Sequence, residues 1–277
     1  MLTTYVLAND IVRKRGFLAE HGLSLLIRSD HRTVLFDVGQ SGVYIGNAMK
    51  LGLDIAKADS IVLSHGHYDH CGGLEYFPVS DGNPDVYIRS EALEEKFAEN
   101  PDGSFRNVGI PLAARESTVL RKTIHPDAIC VEIYPGFFIL GRITSQDKKA
   151  SSVHGLFVKN GNNFIPDNMY DEQLLVVGTG HGIVVYLGCS HPGIVECIDH
   201  VRNNFPGEKI LSVYAGMHLD GISESALDSI LSYLESADIG KIFPLHCTGV
   251  IASAAIKRRF KDRCEILYTG DLYEQDV

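Results

Sequence analysis

The 277-residue chain has no excess of positive charge, no long apolar run and no C-x-x-C pair. Each absence removes a class of function. Lys and Arg number 25 against 35 Asp and Glu, a formal net charge of −10. No basic surface is expected to track a phosphate backbone, so nucleic acid is not an expected partner. No segment approaches the roughly 18–20 consecutive apolar residues that cross a bilayer. The longest runs, Leu174–Val177 and Ile183–Leu187, are strand-sized, so a membrane is not expected either. The opening stretch, MLTTYVLANDIVRKRGF, carries neither the apolar core nor the small-residue cleavage site of a secretory signal. Six cysteines (Cys71, Cys130, Cys189, Cys197, Cys247 and Cys264) spread over this length are not a disulfide scaffold. A reducing cytoplasm is the expected compartment. Closed structural zinc sites commonly use C-x-x-C spacing, and it is missing here.

What is present is an ordinary globular composition, 45% hydrophobic and 22% charged, with ample length for a buried core. Short apolar strands recur, and most end in a turn containing Gly or His. Leu25–Arg28 and Thr33–Phe36 read as a hairpin around Ser29-Asp30-His31, and Val43–Leu51 as a helix stopped by Gly52. Ile61–Leu63 reads as a strand feeding directly into Ser64-His65-Gly66-His67-Tyr68-Asp69-His70. From about 75 to 168 the pattern is less regular. It predicts a strand at Val86–Ile88, a helix over Glu91–Glu99 and short strands within Ala128–Ile139. That region reads as an insertion or lid, where substrate contacts are commonly carried. Leu174–Val177 and Ile183–Leu187 then form a hairpin into Gly188-Cys189-Ser190-His191. Ile210–Ala215 ends at Gly216-Met217-His218, and Lys241–Pro244 at His246-Cys247-Thr248-Gly249. Helices are predicted over Glu196–Asn203 and Ser225–Ser236. The class is α/β, with strand ends projecting scattered side chains from a rigid frame to a common rim.

The chemistry is concentrated in His65-x-His67-x-Asp69-His70. On a tight turn after a strand, His65 and His67 fall to the same side and can grip one ion. Asp69 and His70 follow on the next turn and can reach a second. Imidazole and carboxylate suit zinc and other first-row metals. Cys71 and Cys247 lie beside histidines, either packed in the core or available as thiolates.

The run SHGHYDHCGGL, with its apolar strand and Phe36-Asp37-Val38-Gly39 upstream, resembles the metallo-β-lactamase superfamily over nearly the whole chain. Four further runs resemble one branch of it, the dihydropterin-ribofuranosyl-aminobenzene phosphate synthase-like metal-dependent hydrolases. They are Ala19–Ser24, GCSHPGIV at Gly188–Val195, Ala215-Gly216-Met217-His218-Leu219 and Leu245–Gly249. The resemblance implies an αββα sandwich, a single domain over 1–277 with the insertion at about 75–168 and metal at one edge of two sheets. It implies one or two zinc ions, with iron and manganese as the other candidates. His65 and His67 would hold the first ion, Asp69, His70 and His246 the second, and His191 would be the remaining histidine ligand. The implied reaction is hydrolysis, by a metal-bound hydroxide, of a small anionic substrate, phosphorylated or pterin-like. Asp69 would also orient the hydroxide and take its proton.

Asp37 matches a family position near the metal turn, where it would accept a hydrogen bond from a ligand histidine or simply form the turn. His218 is expected at the substrate. The chain departs from the family where many members carry a bridging Asp, since Gly188-Cys189-Ser190-His191 stands there instead. Asp271, in Tyr268-Thr269-Gly270-Asp271, imitates the missing element but follows His246, which is the wrong order. Two other readings use the same fold or the same metal. One is a flavodiiron-like redox enzyme, whose members usually carry Glu at the position of His67 and add a flavin domain. The other is a non-catalytic metal-binding sensor.

Overall fold

The computed structural model describes residues 1–78, 82–143 and 155–276; residues 79–81 and 144–154 of the expected insertion lie outside the described residues. Two compact units emerge. The first holds the described residues of Met1–Asp127, His154–Asp171 and Tyr268–Asp276, and the second those of Ala128–Val153 and Glu172–Leu267.

In the first unit a seven-stranded sheet runs in the order Leu272–Gln275, Leu2–Ala8, Ser24–Arg28, Thr33–Phe36, Ser60–Val62, Asp85–Tyr87, Thr123–Ile124. The expected hairpin is there. Arg28 pairs with Thr33, and the Ser29 hydroxyl accepts the Arg32 amide at 3.0 Å to close the turn. Register then sets the core. Leu26, Leu35, Ile61 and Val86 are neighbours across four strands. All four are buried with Tyr44 and Ala48 of the helix Val43–Lys50. Each such aliphatic side chain contributes about 1.5–3 kcal/mol by leaving water. The helix is also tied down by Asn47, whose amide donates to the carbonyls of Leu7 and Leu18, both at 2.8 Å. Thr33–Phe36, Ser60–Val62 and Asp85–Tyr87 run parallel. Their carboxyl ends therefore share one edge, and Asp37 and His65 arrive there.

A second, antiparallel sheet of this unit runs in the order Asn163–Pro166, Leu156–Asn160, Lys96–Glu99, Phe105–Asn107. It overturns the helix predicted over Glu91–Glu99. Ser90–Leu93 is only a short 3-10 turn, and Lys96–Glu99 is a strand. The local run of Glu, Lys and Ala favours helix, but non-local pairing decides. Phe97 lies opposite Phe157 and meets the Phe164 ring at 4.9 Å. Lys96 turns inward to two carboxylates. Phe105 stacks on Phe164 with centroids 3.9 Å apart. Other strands between residues 75 and 168 join the larger sheets. Asp85–Tyr87 and Thr123–Ile124 extend the seven-stranded sheet, while Cys130–Tyr134 and Phe137–Leu140 belong to the second unit.

The second unit is a six-stranded sheet in the order Lys241–Leu245, Ile210–Gly216, Gly182–Leu187, Leu174–Thr179, Phe137–Leu140, Cys130–Tyr134. The first three strands are parallel and the rest antiparallel. Side chains alternate between faces. The row Val185, Val213, Ile242 packs with the helices Ile194–Asn204, Glu224–Ser236 and Val250–Phe260 through Ile198, Val201, Leu231, Leu234 and Ile256. The next row, Tyr186, Tyr214 and Phe243, forms an aromatic ladder with centroids 4.9 and 4.2 Å apart and planes within 15°. Each stacked pair contributes about 0.5–1.5 kcal/mol beyond burial. Glu224–Ser236 starts at Ser223, whose hydroxyl accepts the Ala226 amide. Because the three parallel strands share a direction, His191, His218 and His246 all follow carboxyl ends on one edge of this sheet.

Candidate metal centre

In the first unit Asp37 organises the candidate metal-binding turn. It is fully buried and ends its strand in left-handed backbone, φ 55°. One carboxylate oxygen accepts the Ser64 amide at 2.7 Å; the other accepts the Ser64 hydroxyl at 2.8 Å and meets His70 Nδ1 at 2.6 Å. The Ser64 oxygen in turn lies 2.8 Å from His65 Nδ1. Proton bookkeeping fixes both tautomers. With its hydrogen committed to Asp37, the Ser64 oxygen accepts from His65 Nδ1–H, and Asp37 accepts from His70 Nδ1–H. The lone pairs of His65 and His70 are thereby placed on their Nε2 atoms, the form a metal requires. One buried carboxylate thus orients two imidazoles.

The remaining distances fit a cation. His65 Nε2 lies 3.0 Å from His67 Nδ1, close to the about 3.3 Å that two nitrogens subtend on one tetrahedral ion. His70 Nε2 and Asp69 Oδ2 are 3.9 Å apart. Replacing Asp37 by Asn removes the negative acceptor while keeping a residue tolerated in left-handed backbone. We expect metal affinity to fall about 10–100-fold with the fold retained, as read by competition with a chromophoric chelator.

The turn is braced from below by the smaller sheet. Gly66 donates its amide to Asp171 Oδ2 at 2.8 Å, and the other Asp171 oxygen holds Lys96 Nζ at 2.9 Å. Lys96 also binds Asp167 at 2.7 Å. Burial alone would depress the lysine pKa, yet Asp171 and Asp167 outweigh it and raise it above its ordinary value. Tyr68 donates its amide to Val108 at 3.0 Å, and His67 bridges to Gly109. Position 66 has to be glycine, because a Cβ there would stand 2.2 Å from the Ala92 carbonyl oxygen.

In the second unit the three parallel strands end in turns that are lashed together. Gly216 donates to the Gly188 carbonyl at 2.9 Å, and the Ser190 hydroxyl donates to the Gly216 carbonyl at 2.7 Å. Thr248 receives the Met217 amide and donates to the Ala215 carbonyl, both at 3.1 Å. Ser190, His218 and His246 all take left-handed backbone, φ 45–55°, a strain of about 1–3 kcal/mol each that recurs at functional sites. His191 Nδ1 meets Glu172 at 2.7 Å, and Glu172 also accepts the Ser190 amide at 2.8 Å. Glu172 therefore serves His191 as Asp37 serves His70. Cys189, His218 and Cys247 present donor atoms all within 4.8 Å of one another. Burial alone would raise the Cys247 pKa. The Cys189 side chain, the charges of His218 and His246 and a backbone hydrogen bond bring it down to about 5.

The expected residues fall into two groups. His65, His67, Asp69, His70 and Asp37 come together in the first unit; His191, His218 and His246 follow neighbouring strands of the second. Asp271 sits in the first unit with a local role, pairing with Lys14 at 3.1 Å and accepting the Tyr268 amide. Cys71 donates its S–H to the His65 carbonyl, and burial, followed by the charge of Asp37, pushes its thiol well above the ordinary value. It is a structural thiol. Sequence reasoning missed Ser64, Glu172, Asp171 and Lys96, and it missed His21 as well. The His21 ring lies 3.3 Å from Asp69 through Nε2 and 3.1 Å from Asp10 through Nδ1. His21 was legible only as part of the run Ala19–Ser24 and Ser64 only as the first residue of SHGHYDHCGGL; the other three carried no local signal.

Comparison with known proteins agrees with this fold. The family model described as the metallo-beta-lactamase superfamily matches residues 19–244. The solved structure of Tm1679, described as a metal-dependent hydrolase of the beta-lactamase superfamily, is 33% identical and superposes with a TM-score of 0.87, covering all of both chains. An uncharacterized protein of Methanocaldococcus jannaschii, MJ0448, is 30% identical over 87% of this chain and 88% of its own length. The 7,8-dihydropterin-6-methyl-4-(beta-D-ribofuranosyl)-aminobenzene-5'-phosphate synthase of the same organism is 28% identical over 97% and 95%.

Proposed function

The chain belongs to the metallo-β-lactamase superfamily, and from that premise we propose that this metal-dependent hydrolase acts on a small phosphorylated or pterin-like anion. The observation that carries the metal chemistry is the pairing of buried carboxylates with histidines, Asp37 with His70 and Glu172 with His191. Hydrogen-bonded carboxylates of this kind are what metal-ligating imidazoles almost always have behind them. In this reading the first unit offers His65, His67, Asp69 and His70 as ligands, and the second, taken by itself, offers His191 and His246 as its own candidates. The substrate class is supported by the aminobenzene-phosphate synthase relative.

When bound by these side chains, a divalent cation would supply Lewis acidity toward water and toward the scissile group. The chain's own residues do the rest. Asp37 and Ser64 keep the proton on Nδ1 of His65 and His70, so neither ring has to reorganise during turnover. Asp69 presents Oδ2 as a proton acceptor, steadied by His21, which Asp10 orients from its other nitrogen. The net charge of −10 offers no general attraction to an anion, so substrate recognition is local.

The test is a chelated and dialysed preparation reloaded separately with zinc, iron or manganese and assayed on phosphomonoesters, phosphodiesters and a lactone. Stripped protein should be inert and should regain turnover with at least one metal, phosphoesters being cleaved faster than the lactone. Lactone cleavage without phosphoester cleavage would remove the substrate class. Undiminished turnover after complete stripping would remove the metal.

A further inference from the structure

Within the first unit, strand register sets an unpaired cation beside the candidate metal-binding turn. In the small sheet Phe97 lies opposite Asn107, Ala98 opposite Arg106 and Glu99 opposite Phe105. Side chains alternate between faces. Phe97 and Phe105 therefore share the face of the stacked aromatic rings, while Lys96, Ala98 and Arg106 share the other. It is this second face that holds the turn. Lys96 grips Asp171, which accepts the Gly66 amide. Val108, two residues beyond Arg106, accepts the Tyr68 amide at 3.0 Å. Lys96, Ala98 and Val108 are buried, whereas Arg106 ends the row exposed. Two residues of strand span about 7 Å, a gap that an extended arginine side chain covers.

The Arg106 charge is aimed but not neutralised. Its Nη1 donates to the neutral Asn100 Oδ1 at 2.9 Å, and no carboxylate meets it among the described residues. Asn100 is itself fixed in the turn between the two strands. Its side-chain amide donates to the Ser104 hydroxyl at 2.9 Å and its backbone amide to the Ser104 carbonyl at 2.7 Å. By contrast Arg32 is paired with Asp59, and Arg259 with Asp228 and Glu235. Tyr68 is half-buried, with its ring 6.5 Å from that of His21. Burial and then Asp69 raise its phenol above the ordinary value, Arg106 opposes them and Asp10 adds to them. The phenol thus stands in the field of the Asp69 carboxylate and of the Arg106 guanidinium alike.

Given the reading of the substrate as a phosphorylated anion, on which this role rests, we propose that Arg106 binds the substrate's phosphate, assisted by the Tyr68 hydroxyl. A guanidinium presents its donors in a planar fork that matches phosphate oxygens. In a chain of net charge −10, an uncompensated cation at this edge supplies the local attraction that the whole molecule does not. It is also a substrate contact carried by the region 75–168, where the sequence led us to expect one.

Phenylphosphonate, an anion with no ester to cleave, is the probe, titrated calorimetrically into the full-length protein loaded with zinc. Arg106→Ala should weaken its binding about 10–100-fold, the loss of a hydrogen bond to a charged group. Arg106→Lys, which keeps the charge but not the fork, should fall between the two, and Arg106→Glu should bind more weakly than Arg106→Ala. Added salt should cost the parent more affinity than it costs Arg106→Ala. Zinc content and the urea midpoint should match the parent in every variant, because the side chain is exposed and outside the metal set. No binding to the parent, equal affinity in Arg106→Ala, or binding lost together with zinc would each overturn the proposal. Turnover is scored separately. Phosphonate binding that depends on Arg106 without phosphoester cleavage sinks the functional reading alone, and phosphoester cleavage with binding indifferent to Arg106 sinks this role alone.

Discussion

Replacing His67 by Ala should cost about 10³-fold or more in kcat/KM on whichever substrate the protein hydrolyses, while leaving the fold intact. Loss of a single preorganised electrostatic group commonly costs 10²–10³-fold, and this change also withdraws a ligand. Metal affinity should fall by more than about 100-fold, the upper end of what losing an outer hydrogen-bond partner costs. The turn itself should hold. Its backbone is secured by the bridge from His67 to Gly109, the Tyr68 amide on Val108 and the Gly66 amide on Asp171, none of which uses the imidazole. Metal stoichiometry by elemental analysis, the urea midpoint and steady-state kinetics read the three parts separately. Full activity with unchanged metal content would remove His67 from the site.

The largest effect on stability should come from Lys96. Its ammonium is buried between Asp167 and Asp171, whose side chains are 6% and 0% exposed. Lys96→Met keeps most of the volume but leaves two buried carboxylates without their cation. Breaking a buried pair in this way costs about 3–5 kcal/mol, and here one cation serves two anions. The urea midpoint should drop with little change in slope. Metal affinity should drop as well, because Asp171 is the acceptor that anchors Gly66. The variant Lys96→Met/Asp167→Asn/Asp171→Asn should recover most of the lost stability, since neutral side chains carry no comparable desolvation penalty. A Lys96→Met protein within about 1 kcal/mol of the parent, the value of an exposed pair, would show that the network is solvated and dispensable.

The two predictions differ in how far the sequence announced them. His67 was visible at once, because His65, His67, Asp69 and His70 lie within six residues and a turn after a strand brings such neighbours to one side. The α/β class was equally legible through short apolar runs that end at Gly or His, and the family through the resemblance carried by the run SHGHYDHCGGL. Lys96 was hidden, and worse, its segment pointed the wrong way. The Glu- and Lys-rich stretch satisfies helix propensity, which is worth only tenths of a kcal/mol per residue. Pairing with Leu156–Asn160 and burial of Lys96 against two carboxylates overrule it.

Glu172 and Asp171 show the same limit from another side. Glu172 stands 19 residues before His191, and Asp171 stands 105 residues after Gly66. No periodicity links such pairs. Ser64 is adjacent to His65, yet its relay from Asp37 to the ring depends on a carboxylate 27 residues earlier.

By itself the sequence marked the candidate metal-binding side chains and that most of them follow strand ends, since both depend on neighbours along the chain. Only the tertiary structure decided which nitrogen of His65 and His70 carries the proton and which carboxylates stand behind the rings. Those outcomes depend on strand order and register, which bring together residues the chain keeps far apart.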